Sequence, residues 1–576
     1  MKKHLLTLAI IVAVVAIVMA DCDRKGTPSQ EETVDLSEAY PDPVYADNGK
    51  MRATWGNTDD RIERTVRYTN YSNAFRFLAW KNEKVSAEAV LWAFEDLSNV
   101  SFKVSALKTA KGNVIPPSAI SVHFVSFVIA DTYDHSGGDC ALRQKGQWPA
   151  INVADRLDND APVNVSGKTS QPVWVSVKVP KDAATGIYKG VATVTADDMS
   201  PLELPIMLKV GTYALPDPSE WKFQLDYWQH FEEVASYSGI EQWSDDYFDY
   251  MRPLMKLLSQ AGQKCIYANI SGAPSMTMVK KIKNFKDETW TYDYTVFDRW
   301  VILMMELGIT GQIDCYGMIP WAYNFDYYDT HGNWYNASYE PGTKAYNDYW
   351  TPFLKDFAMH LKEMGWFEKT YLAFDERPEE ALLKVIPVIR GAVPEFKVKH
   401  TGFYYESMDR EADDICVVYL NDQYPEGVPE RRRTEGKKSL YYTACGQPYP
   451  NQFLSNPVAE NVWKCWAAKA MGLDGYLHWA YNKWGEDPLY DTRAIAAPAG
   501  DRFIVYPDCR SSVRFEKTIE GVQDYEKACI LEAEWTESGN TAKLAKLRAA
   551  LSRFTPEDIA ANGAEPAVYQ AKMVLE

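Results

Sequence analysis

The fold is decided by the stretch Tyr371-Leu372-Ala373-Phe374-Asp375-Glu376-Arg377-Pro378-Glu379-Glu380, an apolar run that ends in two adjacent carboxylates. Residues 369–374 have the aromatic and apolar density of a buried parallel strand. Pro378, followed by two glutamates, suits the first turn of a helix, where a missing N–H costs nothing and negative charge meets the helix dipole. We therefore expect Asp375 and Glu376 in a strand-to-helix loop, which lies on the catalytic face of a barrel of alternating strands and helices.

The chain from residue 216 onward alternates between strand-like and helix-like segments. Eight short apolar runs are expected to be strands: 222–228, 263–270, 312–318, 369–376, 397–403, 415–420, 439–445 and 474–481. Amphipathic stretches between them are expected to be helices: 247–262, 293–308, 346–365, 379–392 and 457–472. Two of the later connections are less convincingly helical. The alternation predicts a (β/α)8 TIM-like barrel over residues 216–576, with a C-terminal helical extension, and a doubly wound open sheet is the alternative.

Residues 36–215 are expected to form a separate β-sandwich domain, which makes the chain multidomain. Period-2 runs separated by Gly, Pro, Asn and Asp fill this region, and the clearest are 171–179 and 188–194. A carbohydrate-binding module is one interpretation of such a domain. A domain that only supports its neighbour is favoured, because no row of exposed aromatic side chains can be recognised in the sequence.

The N-terminus has the pattern of a targeting segment. Two lysines and a histidine precede an uncharged apolar run over residues 5–20, which is short for a membrane span and typical of a signal peptide over residues 1–21. Cys22 and the polar residues 22–35 favour a lipid anchor with a tether, although Asp21 fits that motif poorly and ordinary cleavage is the alternative. Either route predicts an exported protein, periplasmic or a lipoprotein of the outer membrane or cell surface, and the expected membrane contact is limited to a lipid anchor at Cys22.

The composition excludes several classes of function. The 576 residues hold 61 Lys and Arg against 79 Asp and Glu, a net charge of −18, so nucleic acid is repelled over most of the surface. Aromatic residues make up 13% of the chain, which favours stacking on sugar rings or a large aromatic core. The sequence contains no HExxH motif, no dinucleotide fingerprint and no CxxC pair among its nine cysteines. We therefore expect no metal and no cofactor, and we expect most cysteines, including Cys445, to be buried thiols.

The carboxyl ends of the predicted strands supply the candidate site, because barrel enzymes place their active-site residues there. Asp375 and Glu376 are the candidate catalytic pair. The candidate substrate-binding residues are Asp226, Trp228, Asn269, Tyr316, Tyr404, Tyr442, Trp479 and Tyr481. Aromatic and amide side chains dominate this set, as in a pocket for a neutral polyhydroxylated ring. A carboxylate pair acting on a glycosidic bond fits best, although acidic pairs also occur in polar stretches, as at Asp287-Glu288.

Five segments of the sequence are distinctive enough to be compared with known protein families. They are the strand end Phe374-Asp375-Glu376 and residues 475–484 (GYLHWAYNKW), 500–507 (GDRFIVYP), 512–516 (SVRFE) and 520–526 (EGVQDYE). They resemble glycoside hydrolase family 123, and the resemblance covers the sandwich as well as the barrel. It implies an exported β-N-acetylgalactosaminidase that acts on glycans or glycoconjugates with terminal β-linked N-acetylgalactosamine (β-GalNAc). The reaction would retain configuration through participation of the substrate's own 2-acetamido group.

The resemblance also implies a role for each carboxylate. Glu376 would be the general acid that protonates the departing oxygen and then the base that activates water. Asp375 would accept a hydrogen bond from the acetamido N–H, orient the acetamido carbonyl toward C1 and stabilise the oxazolinium-like intermediate. Tyr442 or another pocket tyrosine would donate to the acetamido oxygen, and Trp479 would wall the methyl group or the ring.

Two other functions stay open at this point. One is a different glycosidase, either a β-N-acetylglucosaminidase or an enzyme with a protein nucleophile. The other is a non-catalytic surface lipoprotein that binds glycans. The charged residues of the C-terminal segments, Arg514, Glu516, Asp524 and Glu526, are expected to form an ion-pair network that locks the barrel rather than to act in catalysis.

Overall fold

The computed structural model describes residues 45–71, 75–132, 144–159, 161–273, 275–420 and 422–575. The predicted signal peptide (1–21) and polar tether (22–35), with the lipid-anchor residue Cys22, lie outside the described residues and stay predictions. Within the described ranges, none of the helices is both long enough and apolar enough to span a membrane.

The first domain is a two-layer β-sandwich. Its strands are β1 Tyr45–Asp47, β2 Met51–Gly56, β3 Phe75–Lys81, β4 Lys84–Ala93, β5 Leu97–Val104, β6 Leu107–Lys108, β7 Val114–Ile115, β8 Ile120–Asp131, β9 Ala150–Asp158, β10 Val163–Val165, β11 Thr169–Lys178, β12 Gly186–Thr195 and β13 Leu202–Ala214. One sheet has the order β1-β2-β4-β11-β8-β9, and the other has the order β10-β5-β12-β13-β3, with β6 paired to β12 and β7 paired to β6. Neighbouring strands are antiparallel except β13 and β3, which are parallel. A 3-10 helix, Pro117–Ala119, precedes β8.

Strand β11 shows why the first sheet is covered on both sides. Val173, Val175 and Val177 point into the sandwich core and are fully buried. Trp174 points to the opposite face, as strand alternation requires. It is also fully buried, because it packs against Val513 from the C-terminal part of the chain. The sandwich thus supports the second domain along this sheet.

The second domain contains a parallel barrel and a smaller sheet. Its strands are β14 Gln224–Tyr227, β15 Cys265–Asn269, β16 Lys280–Asn284, β17 Thr289–Asp293, β18 Gln312–Tyr316, β19 Asn324–Asp329, β20 Trp334–Ser338, β21 Thr370–Asp375, β22 Lys397–Gly402, β23 Asp414–Val418, β24 Lys438–Tyr442 and β25 Gly475–His478. The barrel order is β14-β25-β24-β23-β22-β21-β18-β15. At the seam between β14 and β15, the amide of Lys264 donates to the carbonyl of Leu225 at 3.0 Å. The predicted (β/α)8 barrel after a β-sandwich is confirmed.

Helices surround the barrel and extend it at the C-terminus. They are α1 Phe231–Ser238, α2 Asp245–Gln260, α3 Thr295–Glu306, α4 Lys344–Glu363, α5 Glu379–Ala392, α6 Glu406–Glu411, α7 Val428–Thr434, α8 Glu460–Ala470, α9 Val513–Glu537, α10 Thr541–Leu551, α11 Pro556–Asn562 and α12 Glu565–Leu575, with 3-10 helices at Pro218–Glu220 and Phe367–Lys369. Helix α5 begins directly after Pro378, as predicted. The two connections that looked less helical contain α6 and α7, which are short.

Four of the second domain's strands form a separate sheet, which we call the insertion sheet. Strands β16 and β17 follow β15, strands β19 and β20 follow β18, and the order is β17-β16-β19-β20. On its inner face, the ring of Phe325 lies 5.2 Å from Tyr349 and 5.6 Å from Trp350, both in α4. Because these strands follow the carboxyl ends of two barrel strands, the insertion sheet lies on the catalytic face. It was not among the elements predicted from the sequence.

Two of the four charged residues of the C-terminal segments join the two domains, and the other two bind within the second domain. The guanidinium of Arg514 is buried and pairs with Asp155 of β9 at 2.9 Å. Glu516 pairs with Lys84 of β4, and Asp524 pairs with Lys572. Glu526 accepts a hydrogen bond from the amide of Phe223 at 2.7 Å. The predicted ion-pair network is therefore present, and it ties the sandwich to the barrel.

The cysteine prediction is correct for most of the residues that can be checked and wrong for one. Cys265, Cys315, Cys416 and Cys465 are buried free thiols, and Cys509 and Cys529 are free but only half-buried. Cys445 is disulfide-bonded instead. The reason is that β24 ends at Tyr442, so Cys445 lies in a half-buried loop beyond the strand rather than inside it.

Candidate active site

A cavity of about 570 Å³ opens at the carboxyl ends of the barrel strands. Its walls include four of the predicted binding residues, Trp228, Asn269, Tyr316 and Trp479, together with the catalytic candidate Asp375. Three residues of the insertion sheet complete one side: Asn324, Asp326 and Asn336. The cavity therefore lies where the barrel architecture places active sites.

The two adjacent carboxylates lie at different depths. Asp375 is the last residue of β21 and is partly buried in the cavity wall. Glu376 has an exposed side chain, and its backbone takes the left-handed conformation, with φ of +46°. Its amide donates to the carbonyl of Thr401 in β22 at 2.7 Å, which holds the turn. Left-handed backbone at a residue other than glycine is uncommon and carries strain.

Tyr442, at the end of β24, binds the exposed carboxylate. Its hydroxyl donates to Oε1 of Glu376 at 2.5 Å, the length of a charge-assisted hydrogen bond. Burial, and then the charge of Glu376, raise the pKa of Tyr442, so its hydroxyl stays protonated. Tyr442 is therefore a permanent hydrogen-bond donor beside the carboxylate pair.

Asp375 holds its proton more firmly than an ordinary aspartate. Burial is the main cause that raises the pKa of its carboxyl to about 7, and the charge of Glu376 raises this pKa further, whereas Arg377 lowers it. Arg377 also fixes the loop, because its Nε donates to the backbone carbonyl of Asp375 at 2.5 Å. Near neutral pH, Asp375 thus alternates between its neutral and charged forms beside an exposed carboxylate.

Aromatic rings form the floor of the cavity. The rings of Trp228 and Tyr316 are 4.8 Å apart, and Tyr267 lies 5.5 Å and 5.1 Å from them, respectively. The indole N–H of Trp228, the amide nitrogen of Asn269 and the hydroxyl of Tyr316 are buried and have no hydrogen-bond partner among the described residues. Unpaired buried donors are rare in folded proteins, so a cluster of them in a cavity indicates a polar ligand.

Trp479 forms a second aromatic wall. Its indole N–H donates to Asp501 at 3.1 Å, and His230 forms a 3.1 Å hydrogen bond to its backbone carbonyl. The imidazole of His230 also packs edge-on against the indole, with ring centres 5.5 Å apart. These contacts join the segments 475–484 and 500–507, and they fix the orientation of the indole.

Comparison with known families decides the identity of this arrangement. The sequence model of the glycoside hydrolase 123 catalytic domain matches residues 228–531, and the model of the glycoside hydrolase 123 N-terminal domain matches residues 55–196. The chain belongs to glycoside hydrolase family 123. The prediction of a glycoside hydrolase is therefore confirmed, and the matched catalytic region contains every residue of the cavity described above.

Solved structures support the family 123 fold. A family 123 glycoside hydrolase from Clostridium perfringens, studied for glycolipid glycan hydrolysis, aligns with 91% of this chain and 97% of its own, at 23% identity and a TM-score of 0.80. A Bacteroides ovatus GH5 xyloglucanase aligns with 78% of this chain and 98% of its own, at 9% identity and a TM-score of 0.28, which is too low to carry an argument. No curated protein matches the sequence.

Four of the eight predicted binding residues of this family 123 chain are not part of the cavity wall: Tyr442, which binds Glu376, and Asp226, Tyr481 and Tyr404. Asp226 is fully buried below the aromatic floor, where its carboxylate pairs with Lys399. It precedes Trp228 by two residues, so it faces the same way but lies one layer deeper in the barrel. Tyr481 is buried outside the barrel, and its hydroxyl donates to the carbonyl of Leu254 at 3.1 Å. Tyr404 is half-buried beside Tyr424 and does not line the cavity.

Among the described residues, the buried layer of side chains that contains Asp226 is the candidate metal site. Asp226, Asp314 and Cys265 could place three ligand atoms around an ion. The ammonium of Lys399 already pairs with both carboxylates, at 2.7 Å for Asp314, and its pKa is raised by the two aspartates despite burial. The charged lysine thus fills the position of a cation, and the cluster serves as a polar core beneath the site.

Sequence reasoning missed several residues of the cavity. Tyr267, Trp321, Arg377 and the insertion-sheet residues all line it. Trp321 is 72% exposed, and the guanidinium of Arg377 lies 3.5 Å from the centre of its ring. Arg377 directly follows the carboxylate pair at a strand end, so its position in the sequence could have identified it as a cavity residue. Tyr267 lies two residues before Asn269 in the same strand, which was a second signal.

Proposed function

We propose that this protein removes β-linked N-acetylgalactosamine from glycans, with retention of configuration, by substrate-assisted catalysis. The observation that carries the proposal is the pair of consecutive carboxylates at different depths. Asp375 lies in the wall of the cavity, where a bound sugar ring would be held, and Glu376 is exposed beside it. Consecutive residues on one loop suit two groups on one side of a substrate, whereas a protein nucleophile and its acid flank the anomeric carbon.

In the proposed reaction the sugar supplies its own nucleophile. The acetamido carbonyl oxygen attacks C1, the bond from C1 to the glycosidic oxygen breaks, and Glu376 gives its proton to that oxygen. Asp375 accepts a hydrogen bond from the acetamido N–H and stabilises the positive charge of the oxazolinium-like intermediate. Water then attacks C1, Glu376 accepts the proton of that water, and the intermediate opens to the retained sugar.

The free protein and the proposed reaction require different hydrogen bonds from Tyr442. In the free protein the hydroxyl of Tyr442 donates to Glu376. An acetamido N–H bound to Asp375 would favour the charged form of Asp375, because a hydrogen bond donated to a carboxylate stabilises its ionised form. We propose that Tyr442 then donates to the acetamido oxygen, and that the proton of Asp375 passes to Glu376. Substrate binding would thus place the proton on the catalytic acid.

The aromatic walls support a substrate of this size and polarity. Trp228 and Tyr316 form an apolar floor with unpaired donors, and Trp479 offers a fixed indole wall. Apolar faces hold the sugar ring and the acetamido methyl group, and buried donors bind its oxygens. The preference for the galacto over the gluco epimer rests on the family 123 resemblance.

The first test is hydrolysis of aryl β-N-acetylgalactosaminide, β-N-acetylglucosaminide and β-galactoside by the wild type and Asp375→Asn. We expect activity on the first sugar alone, with a loss of about 10³-fold in the variant. A cyclic thiazoline mimic of the intermediate should inhibit the wild type. Hydrolysis of the plain galactoside, or an active Asp375→Asn variant, would show that a protein group is the nucleophile. A protein that binds the sugar and hydrolyses none of the three would be the glycan-binding lipoprotein.

We also propose that the protein is exported and anchored through a lipid on Cys22. This proposal rests on the sequence of residues 1–35. Fractionation of producing cells should find the wild type with membranes and Cys22→Ala in the soluble exported fraction. Mass spectrometry of the mature N-terminus separates the two routes, because ordinary cleavage would leave an unmodified peptide that still contains Cys22.

A further inference from the structure

The insertion sheet has an outer face that its inner packing leaves free. Side chains alternate along a strand, so Phe325 and Tyr327 face the core, and Asn324, Asp326 and Tyr328 face outward. In the neighbouring strand β20, Trp334 and Asn336 face the same way, because they pair with Tyr328 and Asp326. The outer face is therefore defined by Asn324, Asp326, Tyr328, Trp334 and Asn336.

This outer face is continuous with the catalytic cavity. Asn324, Asp326 and Asn336 line the cavity, and the amide of Asn336 donates to Asp326 at 2.8 Å. The next pair outward, Tyr328 with Trp334, lies two residues further along each strand, or about 7 Å away. A polar pair at the cavity wall is thus followed by an aromatic pair beyond it.

The aromatic pair has the properties of a sugar platform. The indole of Trp334 is 55% exposed, and no ring or cation packs on it among the described residues. The ammonium of Lys280 lies 4.5 Å from the ring centre of Tyr328, which holds that ring in place. A single exposed aromatic side chain is common on protein surfaces, but Trp334 pairs with Tyr328 directly beyond the polar wall of the cavity. Flat rings next to amide and carboxylate groups match the apolar faces and hydroxyls of sugars.

We infer that the outer face of the insertion sheet binds the part of the glycan that leaves when the terminal sugar is cleaved. The ligand is a neutral oligosaccharide chain, with one of its rings stacked on Trp334 and its hydroxyls bonded to Asp326 and Asn336. The inference rests on the proposed function, because that function places the terminal sugar inside the cavity and the leaving group outside it. It makes this protein selective for glycans of several sugars over small aryl glycosides.

The test compares a β-GalNAc-terminated tetrasaccharide with aryl β-GalNAc in the wild type, Trp334→Ala and Tyr569→Ala. Tyr569 is the control, because it is 66% exposed and lies in the distant helix α12. In Trp334→Ala the ratio of kcat/KM for the tetrasaccharide to kcat/KM for the aryl glycoside should fall about tenfold. The ratio should stay constant in Tyr569→Ala. An unchanged ratio of the two kcat/KM values in Trp334→Ala would overturn the inference.

A binding measurement keeps this test independent of turnover. Titration calorimetry with the tetrasaccharide should give a dissociation constant about tenfold higher for Glu376→Gln/Trp334→Ala than for Glu376→Gln alone. Equal dissociation constants would refute binding on the outer face. If the wild type hydrolyses neither substrate but Trp334 still contributes to binding, the proposed function fails and the glycan-binding face stands.

Discussion

Asp375→Asn should abolish activity and at the same time stabilise the fold, and the stabilisation should depend on pH. Folding raises the pKa of the Asp375 carboxyl from 3.8 to about 7, so the folded protein favours the neutral form. Below the unfolded pKa of 3.8 the carboxyl is neutral in both states and does not destabilise the fold. As pH rises from there through about 7, ionisation of this carboxyl increasingly favours the unfolded state, so the free energy of unfolding falls. Asparagine is neutral at every pH. The variant therefore avoids a penalty that the wild type carries at neutral and alkaline pH.

The size of the effect follows from the two pKa values. Their difference corresponds to roughly 4 kcal/mol at pH 8. Asp375 is only partly buried, so solvent screening should reduce the measured gain to the order of 2 kcal/mol. Near pH 4 the folded carboxyl is protonated and the unfolded carboxyl is about half ionised, so the gain should fall below about 1 kcal/mol.

Urea unfolding at pH 4, 6 and 8 measures this difference for the wild type, Asp375→Asn and Asp287→Asn. Asp287 is the matched control, because it belongs to the second Asp-Glu pair and its side chain is exposed. The free energy of unfolding should rise with pH, relative to the wild type, in Asp375→Asn and stay level in the control. If the gain in the free energy of unfolding of Asp375→Asn does not grow with pH, the placement of Asp375 in a desolvated cavity wall is refuted. A gain accompanied by full activity would refute its role at the acetamido group.

Three other variants or conditions test the site and its support. Tyr442→Phe removes the donor to Glu376 and should lower kcat on aryl β-GalNAc about 10²-fold while the thermal unfolding midpoint stays close to the wild type; wild-type kcat would contradict a role for the hydroxyl. In the wild type, kcat/KM should fall as pH rises through about 7, since the pair then loses the proton that the acid must deliver; a flat profile to pH 9 would contradict this. Lys399→Met leaves Asp226 without its cation and should destabilise the fold by about 3–5 kcal/mol in urea unfolding; unchanged stability would contradict a buried ion pair at this position.

The barrel could be predicted because its strands are buried on both sides. Such strands form continuous apolar runs, and each of the eight expected runs overlaps one barrel strand, as 369–376 overlaps Thr370–Asp375. The insertion sheet could not be predicted in the same way. Its strands are short, and β17 and β20 are mostly exposed, so their sequences are those of polar loops. What makes them strands is packing on α4, which is a long-range contact.

The individual site residues show a second limit of sequence reasoning. Position at a strand end identifies a residue that is near the catalytic face, but it does not give its depth. Asp226 and Trp228 share an orientation, yet the carboxylate lies with Lys399 below the floor and the indole forms the floor. Tyr481 lies three residues after the end of β25, where the chain has already turned away from the cavity. Strand stagger and the path of each loop decide these cases, and neither is a local property of the sequence.

The position of Glu376 bears on how two consecutive residues could serve two parts of one sugar, as the proposed reaction requires. Consecutive side chains on a strand point to opposite faces, so a regular continuation of β21 would direct Glu376 away from the cavity that Asp375 lines. Its left-handed backbone, with φ of +46°, breaks that alternation at a cost of about 1–2 kcal/mol.

The carbonyl of Thr401 and the hydroxyl of Tyr442 each bind this residue and offset the cost. Gly402 gives the turn its room, because a Cβ there would lie 3.3 Å from the Cα of Glu376. Strands β22 and β24 therefore hold Glu376 in this turn, while β21 holds Asp375 in the cavity wall. The separation of the two proposed roles would thus depend on the neighbouring strands as much as on the Asp-Glu pair itself.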